Sequence, residues 1–247
     1  MSTRTERLAR SPSVRIKQQL DYPVIDTDVH TNDYAPELED YIANYGGKHL
    51  VDELRKVGPG EGRLSKGNVT NGKSWYEQTK EERQYYRSLR DPWWARVTKN
   101  TLDVATYHIP SLLYERQEEQ GSDYSVLFPN NVLAPLALKD KDKRTALARA
   151  VNHYHADLFR KYADRLTVVA GIPLNTPEEG IEELEFAINT LGLKTINIAG
   201  SVRRPIKALA DKYPASQYPD LQKYISYHDY YGLDSEYDYD PFWAKVV

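Results

Sequence analysis

Three short apolar runs alternate with two helical segments between residues 124 and 200, and this alternation limits the possible folds more than any other feature. The apolar runs are YSVLFPN (124–130), LTVVAGIP (166–173) and KTINIAG (194–200). Between them, residues 143–165 carry apolar side chains at helical spacing, and residues 176–192 open with threonine and early glutamates and end in glycine. Buried strands joined by helices are typical of a parallel sheet or barrel covered by helices. The pattern therefore predicts an α/β fold.

An earlier β-branched run, VIDTDVH at residues 24–30, differs because it carries ionisable groups. On a strand, side chains two residues apart point to one face, so Asp26, Asp28 and His30 are predicted to share a face. The opposite face would then carry Ile25, Thr27 and Val29. One interpretation is the solvent-facing side of an ordinary half-buried strand. The other is a metal site, because carboxylate oxygens and imidazole nitrogens are ligands of zinc, manganese and iron.

The remaining segments are less regular. Residues 1–20 are polar and basic, and we interpret them as a mobile arm or a helix packed on a partner. Residues 31–123 are predicted to form a long helical and loop insertion after the first strand. Residues 205–240 are interpreted as irregular, and residues 240–247 as the beginning of a helix.

Composition excludes several classes of function. The chain has 247 residues, no cysteine and a formal net charge of -3. Without cysteine there can be no disulfide, thiolate ligand or catalytic thiol. Near-neutral charge gives no support for binding to nucleic acid or a membrane surface. No apolar run approaches the roughly 18 residues of a membrane helix, and the N-terminus lacks a signal-peptide core, so we expect a cytoplasmic protein.

Three stretches resemble the amidohydrolase-related family. They are PVIDTDVH, PWWARVTKNTLDVATYHIPSLLYERQEEQGSDYSVLFPNN and RLTVVAGIPLNTPEEGIEELEFAINTLGLKTINIAG. The family is the branch of the amidohydrolase superfamily that includes aminocarboxymuconate semialdehyde decarboxylase and the resorcylate-type decarboxylases. The resemblance covers roughly residues 21–247. It implies a TIM-like (β/α)8 barrel with one divalent metal at the C-terminal mouth of the strands.

The resemblance also implies roles for individual residues. The first strand of the family supplies two metal ligands, which are Asp28 and His30 in this sequence. Asp26 would lie one layer deeper, as a hydrogen-bonding group behind the ligands. Some relatives carry a glutamate at the position of Asp33. The ligand types indicate zinc or manganese as the metal.

Only about half of such a barrel can be placed on this sequence. The strands are assigned to about 23–30, 124–129, 166–172 and 195–199. The family's later ligands, a histidine on the fifth strand and an aspartate on the eighth, have no counterpart. Residues 21–247 therefore resemble the N-terminal half of a family member, with an exposed parallel edge strand.

Polar residues after the strands are candidates for substrate binding, because the loops there face the substrate. We name Asn131, Asn197 and Arg203, since arginine can clamp a carboxylate in bidentate fashion. Each also has an ordinary interpretation, because asparagine is common in caps and turns and a loop arginine is commonly solvated.

Two other pairs of residues are considered as functional candidates, and structural roles are expected for them. His153 and His155 lie about 200° apart on a helix and cannot share an ion, so we expect surface or packing roles. Trp93 and Trp94 would line an aromatic pocket or pack in the core.

Three functions follow from these features. The main prediction is a metal-dependent hydrolase in which a metal-activated water attacks a carbonyl-type substrate. The first alternative is a non-oxidative decarboxylase of an aromatic or unsaturated carboxylic acid on the same metal site. The second is a catalytically incomplete fragment or pseudoenzyme that acts as a binding or assembly module. The expected partners are a small-molecule substrate such as a carboxylic acid and a second copy in a homodimer.

Overall fold

The structure is a computed structural model that describes residues 3–56, 69–90, 99–222, 224–232 and 234–247. The prediction for Trp93 and Trp94 lies outside these ranges. In chain order the helices and strands are α1 (Arg4–Arg10), α2 (Pro12–Lys17), β1 (Ile25–Thr31), α3 (Ala35–Lys56), β2 (Val69–Thr70), β3 (Lys73–Ser74), α4 (Lys80–Tyr86), α5 (Thr101–Thr106), α6 (Pro110–Gln120), β4 (Tyr124–Pro129), α7 (Lys141–Phe159), β5 (Leu166–Gly171), α8 (Pro177–Glu185), β6 (Thr195–Asn197), β7 (Val202–Pro205), α9 (Lys207–Lys212), β8 (Ser226–Asp229) and α10 (Asp240–Val246). None of the helices in these ranges is long and apolar enough to cross a membrane.

The central sheet has four strands in the order β1-β4-β5-β6, and each pairs with its neighbour in parallel. The crossovers from β4 to β5 and from β5 to β6 run through α7 and α8. This is the strand order and connectivity of one half of a (β/α)8 barrel. The predicted parallel α/β sheet with four strands is confirmed, and the strand positions differ from the predicted ones by only a few residues.

Two apolar clusters hold the fold together. One lies between the sheet and its helices, and its fully buried members include Leu127, Leu166, Ala170, Ile172 and Phe242. The second joins the helical insertion to the α/β unit, because apolar side chains of α3 pack against α7. Its fully buried members include Leu38, Ile42, Leu147, Ala150 and Val151.

The N-terminal segment packs on this chain's own helix α6 through polar contacts. Neither α1 nor α2 has a buried residue. Arg7 donates from Nε to Glu119 Oε1 at 2.6 Å and from Nη2 to Glu115 Oε1 at 2.9 Å. Ser11 Oγ donates to the Glu119 carbonyl at 2.6 Å. Of the two sequence interpretations of residues 1–20, helical packing describes this arrangement, with α6 as the surface that α1 and α2 contact.

Residues 205–240 are more ordered than their composition suggests. β7 and β8 pair in antiparallel fashion, with Val202 opposite Asp229 and Pro205 opposite Ser226. No alternating apolar pattern marks these strands, because the buried ion pair of Arg204 and Asp229 supports the pairing instead of an apolar face. Helix α10 confirms the prediction for residues 240–247.

Strand β1 contains a bulge that the sequence analysis did not foresee. Asp26 pairs with Ser125 and Val29 pairs with Leu127, so three steps along β1 correspond to two along β4. The bulge reverses the alternation of faces between Asp26 and Val29. By register, Asp26 lies on the face of Ser125 and Leu127, opposite to His30, so the predicted single face for Asp26, Asp28 and His30 is wrong.

The bulge also changes the second predicted face of β1. Val29 is buried, as expected, but Ile25 is 56% exposed and Thr27 is exposed as well. Residues 25–28 are all exposed, so the first half of the strand is covered on neither face.

A buried carboxyl group joins β5, α7 and α8. Asn152 bonds both backbone groups of Gly171, at 2.8 and 3.0 Å, and also donates to Glu183 Oε1 at 2.8 Å. The other Glu183 oxygen lies 3.5 Å from Arg149 Nε, and within the described residues it has no hydrogen-bond partner. Burial raises the pKa of the Glu183 carboxyl to about 7, and the bond from Asn152 only partly opposes this.

The folded-state pKa of the Glu183 carboxyl lies above its ordinary value of 4.5. The stability that this carboxyl contributes is therefore fully present below pH 4.5 and is lost as the pH rises through about 7. The loss should amount to about 3 kcal/mol. We expect E183Q, which keeps the Asn152 bond, to remove this part of the pH dependence in urea unfolding measured from acid to neutral pH. The matched control is E182Q, since Glu182 is exposed. Parallel pH profiles of E183Q and wild type would contradict the prediction.

Candidate metal centre

Asp28 and His30 lie together at the C-terminal half of β1. The distance from His30 Nε2 to Asp28 Oδ1 is 3.4 Å, and the side chains are 49% and 79% exposed. Two donors that bind one ion at about 2.1 Å with a tetrahedral angle stand about 3.4 Å apart. The donor types and their spacing therefore fit two positions of a divalent metal ion.

Asp28 and His30 are two candidate ligands at this point. In the described part of the chain, no three His, Asp or Glu side chains form a group that could hold a metal ion. A metal bound by Asp28 and His30 would take its other ligands from water, substrate or further protein groups.

A cavity of about 290 Å³ surrounds Asp28 and His30. Its lining residues are Asp26, Asp28, Val29, His30, Asn32, Tyr107, Gln120 and Asn130. The lining includes consecutive residues of β1 that lie on both of its faces, so the cavity runs along the edge of the strand.

Asparagines at the ends of β1 and β4 surround the imidazole of His30. The distance from His30 Nδ1 to Asn130 Oδ1 is 3.2 Å. Asn130 Nδ2 donates to Asn32 Oδ1 at 2.5 Å, and Asn130 N donates to the Thr31 carbonyl at 2.9 Å. His30 is thus held between Asp28 on one nitrogen and Asn130 on the other.

Asp26 contacts the candidate pair through the backbone of Asp28, and its role behind the metal ligands stays a prediction. Its Oδ1 accepts from the backbone N–H of Asp28 at 3.1 Å, which holds the bulge. Its side chain lies toward Tyr107, whose pKa is raised first by burial and then by the Asp103 carboxylate. Gln120 Nε2 donates to the Tyr107 hydroxyl at 2.9 Å.

Asp33 forms a buried polar cluster behind the site. His155 Nε2 lies 2.7 Å from Asp33 Oδ1, and Asn131 Nδ2 donates to Asp33 Oδ2 at 2.8 Å. The Asp33 and His155 side chains are at most 2% exposed. The cluster ties the ends of β1 and β4 to α7, in agreement with the packing role expected for His155. His153 bonds the Tyr45 hydroxyl at 2.9 Å on the surface of α7.

The three candidate substrate residues lie away from this cavity. Asn131 is buried against Asp33, and Asn197 ends β6, where its carbonyl accepts from Ile172 N at 2.9 Å. Arg203 is exposed on β7 opposite His228. None of the three is among the residues that line the cavity around Asp28 and His30.

Four residues that line the cavity were not selected as site candidates from the sequence. Asn32 and Asn130 directly follow strands β1 and β4, so they could have been selected as polar residues that follow a strand. Tyr107 and Gln120 belong to the helical insertion, and nothing in their local sequence indicates the cavity.

No family model and no curated protein matches the chain. Similar folds occur among solved structures. A 2,6-dihydroxybenzoate decarboxylase from Rhizobium is 18% identical, with a TM-score of 0.45. A 5-carboxyvanillate decarboxylase from Novosphingobium aromaticivorans, complexed with manganese and 4-hydroxy-3-methoxy-5-nitrobenzoic acid, is 16% identical, with a TM-score of 0.46. A dihydroxybenzoic acid decarboxylase from Polaromonas, with bound manganese and 2-nitroresorcinol, is 17% identical, with a TM-score of 0.44.

The matches cover 91%, 92% and 91% of this chain but only 46%, 48% and 46% of the three solved chains. The chain thus spans a little under half the length of the solved structures it matches.

Proposed function

We propose that Asp28 and His30 are two ligands of a divalent metal in a non-oxidative decarboxylase that acts on a small aromatic or unsaturated carboxylic acid. The observation that carries the proposal is the 3.4 Å separation of His30 Nε2 and Asp28 Oδ1 inside a cavity at the C-terminal half of β1. When bound, the metal supplies a positive charge that holds the substrate carboxylate and a neighbouring oxygen.

The other cavity residues suit a substrate rich in oxygen atoms. Asn32, Asn130 and Gln120 carry side-chain amides, and Tyr107 carries a hydroxyl. Amide N–H groups and hydroxyls donate hydrogen bonds to carboxylate and phenol oxygens without adding a competing negative charge. These residues would orient the substrate beside the metal ligands.

We prefer decarboxylation to the hydrolase predicted from the sequence, because the amide and hydroxyl groups that line the cavity suit a substrate rich in oxygen atoms. A hydrolase needs a base to take a proton from the attacking water. Among the described residues that line the cavity, Asp26 is the one carboxylate besides Asp28, and by register it lies on the opposite face from His30. A decarboxylase needs the metal to hold the substrate carboxylate and also an acid that protonates the ring carbon from which carbon dioxide leaves, so both reactions need a proton-transferring group beside the metal.

The metal proposal predicts loss of binding in a D28A/H30A variant. We expect the purified full chain to bind about one Mn²⁺ or Zn²⁺ ion, measured by calorimetric titration and by plasma mass spectrometry after dialysis. The double variant should bind neither, because two of the ligands are removed.

A matched control exists on the surface of α7. His153 Nε2 also lies 3.4 Å from an aspartate oxygen, that of Asp157, but Tyr45 and Tyr41 already bond the two side chains. H153A/D157A should therefore bind metal like wild type. Equal binding by wild type and D28A/H30A, or no binding by either, would refute the metal site.

The reaction is tested on the metal-loaded chain with two substrates. Release of carbon dioxide from 2,6-dihydroxybenzoate would support the decarboxylase, and cleavage of an aromatic ester would support the hydrolase in its place. A metal-bound chain that does neither would refute the enzyme proposal and favour the binding or assembly module. A homodimer remains part of the proposal, and light scattering tests it.

A further inference from the structure

We propose that Asn130 is a positioning residue that selects the tautomer of His30 in which Nδ1 carries the proton and Nε2 carries the lone pair. The inference deepens the proposed function, because it identifies the group that prepares His30 to bind a metal through Nε2. It rests on the hydrogen bonds around the imidazole and on the orientation of one side-chain amide.

The orientation of the Asn130 amide follows from its second partner. Asn130 Nδ2 donates to Asn32 Oδ1 at 2.5 Å, which leaves Asn130 Oδ1 directed at His30 Nδ1, 3.2 Å away. With the Asn32 amide in its present orientation, rotating the Asn130 amide alone by half a turn would place the oxygens of Asn130 and Asn32 against each other. The backbone of Asn130 is also fixed, because its N–H donates to the Thr31 carbonyl at 2.9 Å.

An amide oxygen can only accept a hydrogen bond, so His30 Nδ1 must carry the hydrogen. The neutral imidazole has a single N–H, and Nε2 then carries the lone pair. Nε2 is the nitrogen that lies 3.4 Å from Asp28 Oδ1. His30 Nε2 and Asp28 Oδ1, the two proposed metal donors, therefore both direct a lone pair toward the proposed metal position.

Asp28 on its own would favour the opposite tautomer, because its carboxylate attracts a hydrogen on Nε2. The Asp28 side chain is 79% exposed, so water weakens this attraction. Asn130 is half-buried and has a second bond to Asn32, so it does not have to give up a hydrogen bond to water. The balance between the two sides selects Nδ1–H.

Neighbouring contacts hold Asn130 in this position. His30 pairs with Phe128 and Thr31 pairs with Pro129, so residue 130 follows β4 directly beside the end of β1. Asn131, the next residue, donates to the buried Asp33 carboxylate at 2.8 Å. The segment after β4 is therefore anchored on both sides of the Asn130 amide.

The test compares wild type with N130L and N130D by long-range ¹H–¹⁵N correlation spectra of histidine-labelled full chain. The spectra are recorded without metal, at a pH where the rings are neutral, and again with zinc. Wild type should show His30 with Nδ1–H. N130D should do so as well, because it keeps an acceptor oxygen for Nδ1 and the Asn32 amide can rotate to donate to its other oxygen. N130L should shift His30 toward Nε2–H. The five other histidines are internal controls, and the circular dichroism of each variant reports whether it is folded.

Zinc binding supplies the second measurement. Removing a partner that orients a metal-binding histidine commonly lowers metal affinity about 10–100-fold. We expect a loss of that size in N130L and near-wild-type affinity in N130D. The same His30 tautomer in folded N130L and wild type would overturn the inference.

The failure of this inference can be distinguished from failure of the metal proposal. If zinc leaves the His30 signals of wild type unchanged, the metal site is refuted, and the metal-free spectra alone decide the role of Asn130. If zinc binds His30 through Nε2 with equal affinity in wild type and N130L, the metal site stands and the role of Asn130 is refuted.

Discussion

Replacement of Arg144 by methionine is expected to lower the free energy of unfolding by about 3–5 kcal/mol, because it leaves a buried carboxylate without its counter-charge. Arg144 donates from Nε to Glu179 Oε1 at 2.5 Å and from Nη2 to Glu179 Oε2 at 2.9 Å. Both side chains are 4% exposed. Arg144 Nη1 also donates to the carbonyls of Leu138 and Lys139, at 2.7 and 2.9 Å. Urea unfolding of R144M and wild type measures the difference.

The adjacent residue provides the control for this measurement. Lys143 forms a surface ion pair with Glu53 at 2.5 Å, so K143M should change stability by about 0–1 kcal/mol. The double variant R144M/E179L replaces both charges by apolar groups and should recover most of the loss. A double variant as unstable as R144M would show that the loss comes from packing and from the two carbonyl bonds.

Removal of the Asp229 carboxylate should cost a similar amount, about 3–5 kcal/mol in D229A, because the Arg204 guanidinium is buried against it. Arg204 Nε donates to Asp229 Oδ2, and its Nη2 donates to the Tyr239 hydroxyl at 2.8 Å. Asp229 also accepts from Ser235 Oγ at 2.8 Å and from Tyr231 N at 3.0 Å. The change in urea midpoint of D229A relative to wild type is the measurement.

The same carboxylate gives this prediction a pH dependence. Burial alone would raise the pKa of Asp229, but the bonds from Arg204, Ser235 and the Tyr231 N–H outweigh it and lower the pKa below 3.8. Its contribution is therefore present above that value and is lost as pH falls through the lower folded-state pKa. The difference between wild type and D229A should shrink in strong acid. The control is D220A, because Asp220 is exposed. A constant difference at all pH values would contradict the assignment.

The regular part of the fold could be read from the sequence because its signals are local. Strands β4 and β5 are continuous apolar runs, α8 begins after a capping threonine, and α6 ends at Gly121, whose φ of 85° suits glycine. The bulge in β1 could not be predicted. It depends on the register of Asp26 and Val29 against a strand that lies about a hundred residues later in the chain.

The candidate site was predictable only in part, for a related reason. Asp28 and His30 lie two residues apart, so their proximity follows from strand geometry. Arg203 and Arg204 are neighbours in sequence, yet pairing with β8 leaves the first exposed and buries the second on Asp229. Tyr107 reaches the cavity through the packing of α5 and α6, which no local pattern specifies.

The long insertion between β1 and β4 has a consequence for folding during synthesis. Ile25 pairs with Tyr124, so β1 leaves the ribosome 99 residues before its partner does. At about 5–20 residues per second the strand waits about 5–20 s for β4, whereas β4 and β5 are separated by a single helix. An unpaired β-branched strand is prone to join other nascent chains, and charged residues within it oppose such association. Asp26 and Asp28 place two negative charges in β1, and these charges would oppose its association with other nascent chains until its partner strand is made.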